Sequence, residues 1–381
     1  MKIFSIIFGG IIFLAIYGIA NFYIAKKINL LISLHFTPNK IVFAGIYISF
    51  IIISLIIIFL PPTSSVNRII HIVGCYFMAV SMYMLMFFLV TDLFILLGKN
   101  TNIIQPAMLN GTRFYSGLAV VLLSAAIICY GAYNDNKIEF VSYEIQLKDA
   151  VMNNMKIILI SDSHLGSVNN TEKNLERIVQ GINNLAPDIV CIPGDIFNDN
   201  INGIRNPDRA IALLKSIEST YGVYASLGNH DRGNTFDQMV SFLERSNIKL
   251  LNDEYVIIDE RLALFGRIDS SPLGGFGNLQ RQDISDLIAS VGKNMPVVIM
   301  DHDPANIKEY GSDVDLILSG HTHGGQVFPA TLFRNIIFTV GYGYYQKDGN
   351  SPQVIVTSGV GAYGPPMRIG TNNEIVSVIL K

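Results

Sequence analysis

Four apolar runs in the first third of the chain, at 3–24, 41–60, 69–91 and 114–133, decide most of what it can fold into. None of them contains Lys, Arg, Asp or Glu. Each has roughly the 20 residues that a helix needs to cross about 30 Å of hydrocarbon. Four such runs within 133 residues leave almost no polar face, which argues against buried helices in a soluble core. They predict an all-α, four-helix transmembrane region over 1–133. The first run outlasts the apolar core of a signal peptide and three more follow it, so it is read as retained. His71 and Asp92 sit at the edges of the third run and are read as interfacial residues rather than as an intramembrane site.

Charge divides at the same place. Residues 1–133 hold seven Lys/Arg and one acid, about +6, and residues 134–381 hold twenty Lys/Arg and twenty-nine acids, about −9. A second domain is therefore expected over 134–381, joined by a short polar hinge at 134–137. With four spans, both ends of the bundle lie on one side. Lys26, Lys27, Lys40, Lys99 and Arg113 in the two loops stand against Lys2, Arg68, Lys137 and Lys148. The positive-inside rule leans, five to four, toward a second domain outside the cytoplasm. Cys75 and Cys129 fall in spans and Cys191 in an apolar strand, so the second domain has no cysteine pair. Its acidity and lack of a basic stripe argue against nucleic acid as a partner.

From 137 onward the hydrophobic pattern alternates between short strands and helices. Strands are expected at 137–147, 155–160, 188–192, 222–227, 249–251, 255–259, 262–266, 296–300, 314–318, 353–357 and 374–380. Helices are expected at 172–185, 208–219, 236–245 and 283–291. This alternation predicts layered α/β packing. Polar residues then fall in a pattern. Five strands end in possible metal ligands: Asp162 and His164, Asp195, Asn229 and His230, His302, and His321 with His323. Five of the seven histidines belong to this set. In open α/β sheets ligands bind outside the carboxyl ends of strands, so these residues are expected to converge.

Taken singly, each has an ordinary reading. Asp162 or Asp195 could cap the next helix, Asn229 could serve a turn, and a histidine could be a satisfied core residue. Taken together, carboxylates, an amide oxygen and imidazoles without thiolate suit Mn, Fe, Zn or a similar divalent ion. The seven ligands Asp162, His164, Asp195, Asn229, His302, His321 and His323 are too many for one tetrahedral site. Two ions about 3.5–4 Å apart that share a carboxylate would accommodate them.

The blocks Asp162-x-His164, Gly194-Asp195, Gly228-Asn229-His230-Asp231, His302-x-Pro304 and Gly320-His321-x-His323 appear in the order of the calcineurin-like metallophosphoesterase superfamily. The chain resembles that superfamily over about 137–381. Gly-His-Thr-His-Gly-Gly-Gln at 320–326, and the tail from Ser358-Gly359-Val360-Gly361 to Pro365-Pro366-x-Arg368, look like its membrane-associated bacterial branch. Some members of that branch cleave the pyrophosphate of a UDP-linked diacylglucosamine.

The resemblance implies a layered α/β metallophosphoesterase sandwich with helices on its outer faces. It implies one ion on Asp162, His164, Asp195 and His323, and another on Asp195, Asn229, His302 and His321, with Asp195 bridging. It places His230 opposite the substrate phosphate, with Asp231 orienting it. Arg368 is expected either to clamp a phosphate or to be a surface arginine. Asp303 is expected to cap the helix after Pro304.

The expected reaction is hydrolysis of a phosphodiester or pyrophosphate bond. A hydroxide bridging the ions attacks in line, and His230 serves the leaving oxygen. The membrane region makes the bilayer a partner and a lipid-linked phosphorylated compound the expected substrate, with segments 271–279 and 342–345 as a candidate apolar rim. Two alternatives remain at this point: an enzyme of soluble or cyclic nucleotides, and a non-catalytic membrane sensor that only binds metal.

Overall fold

The computed structural model describes residues 2–147, 154–169, 171–270, 275–292 and 295–381, with side chains from residue 8. Lys148 and part of the expected rim, 271–274, lie outside the described residues. The chain divides into two compact units, Met1–Leu60 with Val66–Tyr130, and Pro61–Ser65 with Gly131–Lys381.

The first unit is helical: α1 (Lys2–Ser33), α2 (Lys40–Ile56), α3 (Ser65–Asn100) and α4 (Leu109–Asp135). Among the described residues, three stretches are long and apolar enough to cross a membrane: Phe8–Ser33, Ser65–Asn100 and Pro106–Asp135. The second run departs from expectation. In place of a helix over 41–60, α2 has 17 residues and ends at Ile56. At about 1.5 Å per residue it covers roughly 26 Å. The chain then meets Pro61-Pro62, and residues that precede proline avoid the helical region. Asp92 is engaged inside the unit. Its carboxylate pairs with the Lys27 ammonium and accepts from the Tyr23 hydroxyl at 2.7 Å.

The second unit is a sandwich of two six-stranded sheets. Its strands are β1 (Ile138–Ile145), β2 (Met155–Leu159), β3 (Ile189–Pro193), β4 (Val223–Ser226), β5 (Ile248–Leu250), β6 (Glu254–Ile258), β7 (Leu262–Gly266), β8 (Val297–Met300), β9 (Leu316–Ser319), β10 (Gly343–Gln346), β11 (Gln353–Val356) and β12 (Asn373–Leu380). One sheet runs β1-β12-β2-β3-β4-β5 and the other β10-β11-β9-β8-β7-β6. Strands β2, β3, β4 and β5 are mutually parallel, and so are β7, β8, β9 and β11.

Every residue of β3 and β7 is buried, as expected for strands covered on both faces. Ile157, Leu159 and Cys191 of one sheet share a core with Leu264, Met300 and Leu318 of the other. The outer face of the first sheet packs against α5 (Glu172–Asn184), α6 (Pro207–Lys215) and α7 (Phe236–Arg245). The outer face of the second carries α8 (Ser285–Val291).

Local chemistry explains these helices. Leu175, Ile178, Val179 and Ile182 bury one stripe of α5. Each is worth roughly 1.5–3 kcal/mol of apolar transfer. Thr171 caps its start by accepting from Asn174 N. Asn206 caps α6 by accepting from Arg209 N. The fold is thus layered α/β, as the alternation predicts, and the sandwich with outer helices that the resemblance implies.

Two elements lie outside the sequence expectation: β10, and α9 (Ala330–Ile337). The hinge expected at 134–137 is instead tied down. Asn134 is buried and donates to Thr371 O at 2.9 Å and to Asn372 Oδ1 at 2.9 Å. The described part of the expected rim divides: Leu279 and Tyr344 are exposed, whereas Phe276 and Tyr342 are engaged by the fold. Phe276 is buried against Phe236, Leu227 and Ile268, and Tyr342 donates to Glu374 Oε2 at 2.8 Å.

Candidate dimetal centre

The candidate ligands sit just past the carboxyl ends of β2, β3, β4, β8 and β9. These strands are neighbours within their sheets, so their ends form one patch. The turns there are sharp. Asp162, His164, Asp195, His321 and His323 all have positive φ, between 41° and 69°. Each such non-glycine residue costs on the order of 1–3 kcal/mol and persists only where its surroundings fix it. The surroundings are backbone ladders between neighbouring turns. Asp162 N donates to Gly194 O at 3.2 Å, His164 N to Asp195 O at 3.0 Å and Gly320 N to His302 O at 3.0 Å. Gly194 and Gly320 are where the turns touch. A Cβ at Gly194 would meet the Gly228 backbone, and one at Gly320 would meet Ser161 and the Asp162 carboxylate.

Donor atoms gather in two groups: Asp162, His164 and His323, and Asp195, His302 and His321. In the first, His164 Nε2 lies 3.1 Å from His323 Nε2, and His323 Nε2 lies 3.5 Å from Asp162 Oδ1. In the second, His321 Nδ1 lies 3.3 Å from His302 Nε2 and 2.8 Å from Asn229 Oδ1. Asp195 Oδ2 faces both groups, at 3.2 Å from His302 Nε2 and 3.8 Å from His164 Nε2. Ligand atoms on one tetrahedral ion with bonds of about 2.1 Å stand roughly 3.4 Å apart, so these spacings fit metal binding.

The remaining ligand atoms are held by the fold. His302 Nδ1 is 2.9 Å from Pro193 O and His323 Nδ1 is 3.2 Å from Gly361 O, which leaves each Nε2 for an ion. Both oxygens of Asp162 accept from His321 N at 3.1 Å.

Electrostatics favour the same reading. Burial, followed by neighbouring positive groups, drives the His323 imidazole well below its usual pKa. Burial lowers His164 to about 3 and, with His302 beside it, His321 to about 4. All three are neutral at pH 7, which is the ligating form. Burial acts to lower His302, but the Asp195 and Asp162 carboxylates overcome it and hold its pKa well above normal. Burial acts to raise Asp195, but His302, His164 and His230 pull it below the usual carboxylate range. A cation held here would take the place of a proton on His302 and neutralise Asp195.

His230 lies beside the donor groups, with its ring 5.2 Å from that of His164. Its expected partner is corrected by the structure. Asp231 is buried and turned away: Oδ1 accepts from Phe197 N at 2.8 Å and Oδ2 from Gly228 N at 2.9 Å. Burial and the nearby Asp195 push its pKa up to about 7. The carboxylate that reaches the His230 ring is Asp199, with Oδ2 3.0 Å from Nδ1. Burial acts to lower His230, and Asp199 followed by Asp195 reverse this, so its pKa is raised. Arg232 braces Asp199 at 3.1 Å.

Arg368 is likewise corrected. It is fully buried rather than at the surface, and its guanidinium is taken up by backbone carbonyls. Its Nη2 donates to Ser358 O at 2.7 Å and to Gly361 O, its Nη1 donates to His323 O at 3.3 Å, and Nη2 lies 3.5 Å from His323 Nδ1. Burial lowers its pKa to about 10, which leaves it charged at neutral pH.

Asp303 caps the turn after Pro304, accepting from Ala305 N at 2.8 Å. Asp301 is buried and pairs with Arg281 at 2.7 Å, away from the donor groups. Tyr363 is a residue that motif reasoning passes over. It is half-exposed and lies 4.6 Å, ring to ring, from His230. Gln326 holds its loop, with Oε1 accepting from Tyr363 N and Nε2 donating to Tyr363 O, both at 2.9 Å.

Residues 155–325 match the family described as calcineurin-like phosphoesterase. The chain is similar to an uncharacterized metallophosphoesterase of Campylobacter jejuni, 28% identical over 97% of each chain. It is similar to one from Aquifex aeolicus, 32% identical over 60% of this chain and 85% of that protein. It is also similar to a transmembrane protein with metallophosphoesterase domain from Danio rerio, 28% identical over 73% of this chain, of which it spans 65%. Motif order, sandwich fold, paired donor groups and these likenesses agree: the chain belongs to the calcineurin-like phosphoesterases, metal-dependent hydrolases of phosphoric esters that bind two divalent ions.

Proposed function

We propose that this membrane protein hydrolyses a phosphodiester or pyrophosphate bond in a lipid-linked substrate. The observation that carries the chemistry is a single carboxylate oxygen, Asp195 Oδ2, facing two donor groups, with His230 beside them. In this reading Asp162, His164, Asp195 and His323 hold one ion, and Asp195, Asn229, His302 and His321 hold the other. Two bound divalent ions supply neutralisation of the phosphate oxygens and acidification of water toward a pKa of about 7.

The chain's own residues do the rest. Asp199 holds Nδ1 of His230 and fixes the ring, leaving Nε2 to give a proton to the departing oxygen. General acids of this kind contribute roughly 10²–10⁴ in rate. Tyr363 forms one wall beside that imidazole. The three apolar spans support a lipid-linked substrate, since they keep the site on a chain that never leaves the bilayer. If α2 crosses as well, so that both ends of the bundle lie on one side, the five-to-four excess of loop Lys/Arg supports a domain outside the cytoplasm. A reporter fused to the C-terminus, active only in one compartment, tests that side.

The reaction class is tested by hydrolysis of bis-p-nitrophenyl phosphate with Mn²⁺, with and without chelator. Absence of turnover across several metals favours the sensor. The substrate class is tested with a panel of lipid phosphates and soluble nucleotides given to the membrane-embedded protein. Turnover of nucleotides alone overturns the lipid assignment.

A further inference from the structure

Helix α9 has the composition of a buried element, yet none of its residues is buried. Leu332, Phe333, Ile336 and Ile337 are exposed, the last two at 78% and 71%, and so is Phe328 just ahead of it. Leu332 with Ile336 and Phe333 with Ile337 are four apart, and Phe333 with Ile336 three apart, so they form adjoining rows of one broad apolar side of the helix. The one charged residue of α9 is drawn the other way. Arg334 Nη1 donates to Gly324 O at 2.7 Å, and its guanidinium lies over the Tyr342 ring at 5.0 Å. A contiguous apolar patch of this kind marks a surface that something covers.

Two observations say what covers it. First, the turn Gly131–Asp135 ends the last span and belongs to the same compact unit as α9. Gly131 O accepts from Arg368 N at 3.0 Å, and the next residue, Ile369, accepts at its carbonyl from Phe328 N at 2.9 Å. Ile369 also packs against Gly131, where an added Cβ would meet its Cγ1 at 2.9 Å. The end of a span and the start of the apolar patch are thus joined through two successive residues. Second, the stretch 327–340 contains no Asp or Glu. It brings no carboxylate to an anionic lipid surface.

We propose that α9 lies in the headgroup boundary of the membrane that the chain spans, with Phe328, Leu332, Phe333, Ile336 and Ile337 toward the acyl chains. Helices of this type sink about 5–10 Å into that boundary. α9 is also fastened to the turn that carries His321 and His323. Gly325 has φ 86°, and a side chain there would strike Thr331 Cα at 2.7 Å. Docking of α9 therefore holds the donor groups at the lipid surface. The proposal stands on α9 itself and not on the identity of the phosphoester cleaved.

The chain has no tryptophan, so one introduced indole reports alone. Full-length Ile336→Trp and, separately, Leu332→Trp are reconstituted into vesicles of phosphatidylcholine and phosphatidylglycerol. Asp208→Trp, at an exposed position on α6, is the reference. Hydrolysis of bis-p-nitrophenyl phosphate verifies that each variant is folded. Brominated lipid is expected to quench the indole of Ile336→Trp or Leu332→Trp by about half or more, as for a residue sunk in the acyl boundary, while acrylamide quenches the reference variant. Quenching of both α9 variants by acrylamide, as readily as the reference, overturns the proposal. Shielding of both from lipid and acrylamide alike also overturns it, and shows a protein surface, such as a second copy, covering α9. Either failure leaves the substrate panel, and so the lipid-linked reading, to be judged separately.

Discussion

Asp199 Oδ2 lies 3.0 Å from His230 Nδ1, and no metal-donor carboxylate reaches that nitrogen as closely. The contact ties the imidazole to the loop after β3, which also carries Asp195, rather than to its own neighbour Asp231. Asp199→Asn removes the charge and keeps the shape. It is expected to lower kcat about 10–100-fold, as loss of a partner that orients a working histidine does. Bound metal stays at two per chain. Steady-state turnover of a soluble diester, alongside metal analysis, checks this; unchanged kcat removes Asp199 from the site.

Asp231 should behave in the opposite way. Its two oxygens satisfy Phe197 N and Gly228 N in the interior. Asp231→Ala strands both donors, at about 1–3 kcal/mol for each buried group left unpaired. The expected result is a lower thermal midpoint, with kcat changing far less than in Asp199→Asn. Thermal unfolding and turnover measured on one preparation separate the two effects. A stable Asp231→Ala with lost turnover would restore it as the orienting residue.

His230 and Asp195 divide along a different line. His230→Ala takes away no donor atom of either group and is expected to keep two ions while losing roughly 10²–10⁴ in rate. Asp195→Ala takes away the oxygen shared by both groups. It is expected to lose metal as well as activity. Elemental analysis after gel filtration is decisive, since two ions retained in Asp195→Ala would refute its bridging position.

Chelation should also destabilise the fold. The donor groups crowd three neutral imidazoles and two carboxylates into one interior patch. Five residues with positive φ, in three sharp turns, meet there as well. Ions that bind only the folded chain stabilise it by about 2.7 kcal/mol at a hundredfold excess over Kd. Treatment with EDTA is expected to lower the thermal midpoint and readdition of Mn²⁺ to restore it. A midpoint indifferent to both would mean that the patch holds no metal.

How legible was all this in the sequence? Strand ends were readable because each candidate ligand closes a short apolar run, and the run itself reports the strand. Asp199 was not, since Asn198-Asp199-Asn200 looks like any polar loop; its role comes from a chain reversal that sequence spacing does not encode. Arg368 is misleading in sequence because its partners are carbonyls of two loops, at Ser358 and Gly361 and at His323, and carbonyls leave no trace in residue identity. The helix α9 was hidden for another reason. It is eight residues long, without a side-chain cap, and it directly follows a glycine-rich loop. Short apolar stretches of that kind cannot be assigned by periodicity alone.

Arg368 provides the most exacting test of how the site is supported. One guanidinium spans Ser358 O, Gly361 O and His323 O, and its own backbone N–H reaches Gly131 O at the end of the last span. Lysine keeps the charge but offers a single donor centre in place of the planar fork. Arg368→Lys therefore leaves at least one of these carbonyls without its partner and loosens the turn that aims His323. Metal affinity is expected to fall about 10–100-fold, the usual effect of losing a group that orients a ligand. Removing the charge with Arg368→Met leaves the largely enclosed Asp135, whose Oδ1 lies 4.0 Å from Arg368 Nε, without its nearest cation, and is expected to lower stability. Isothermal titration with Mn²⁺ and urea unfolding of both variants distinguish the two roles. Wild-type affinity in Arg368→Lys would confine Arg368 to packing, whereas weakened binding without loss of stability would place its effect on the His323 turn.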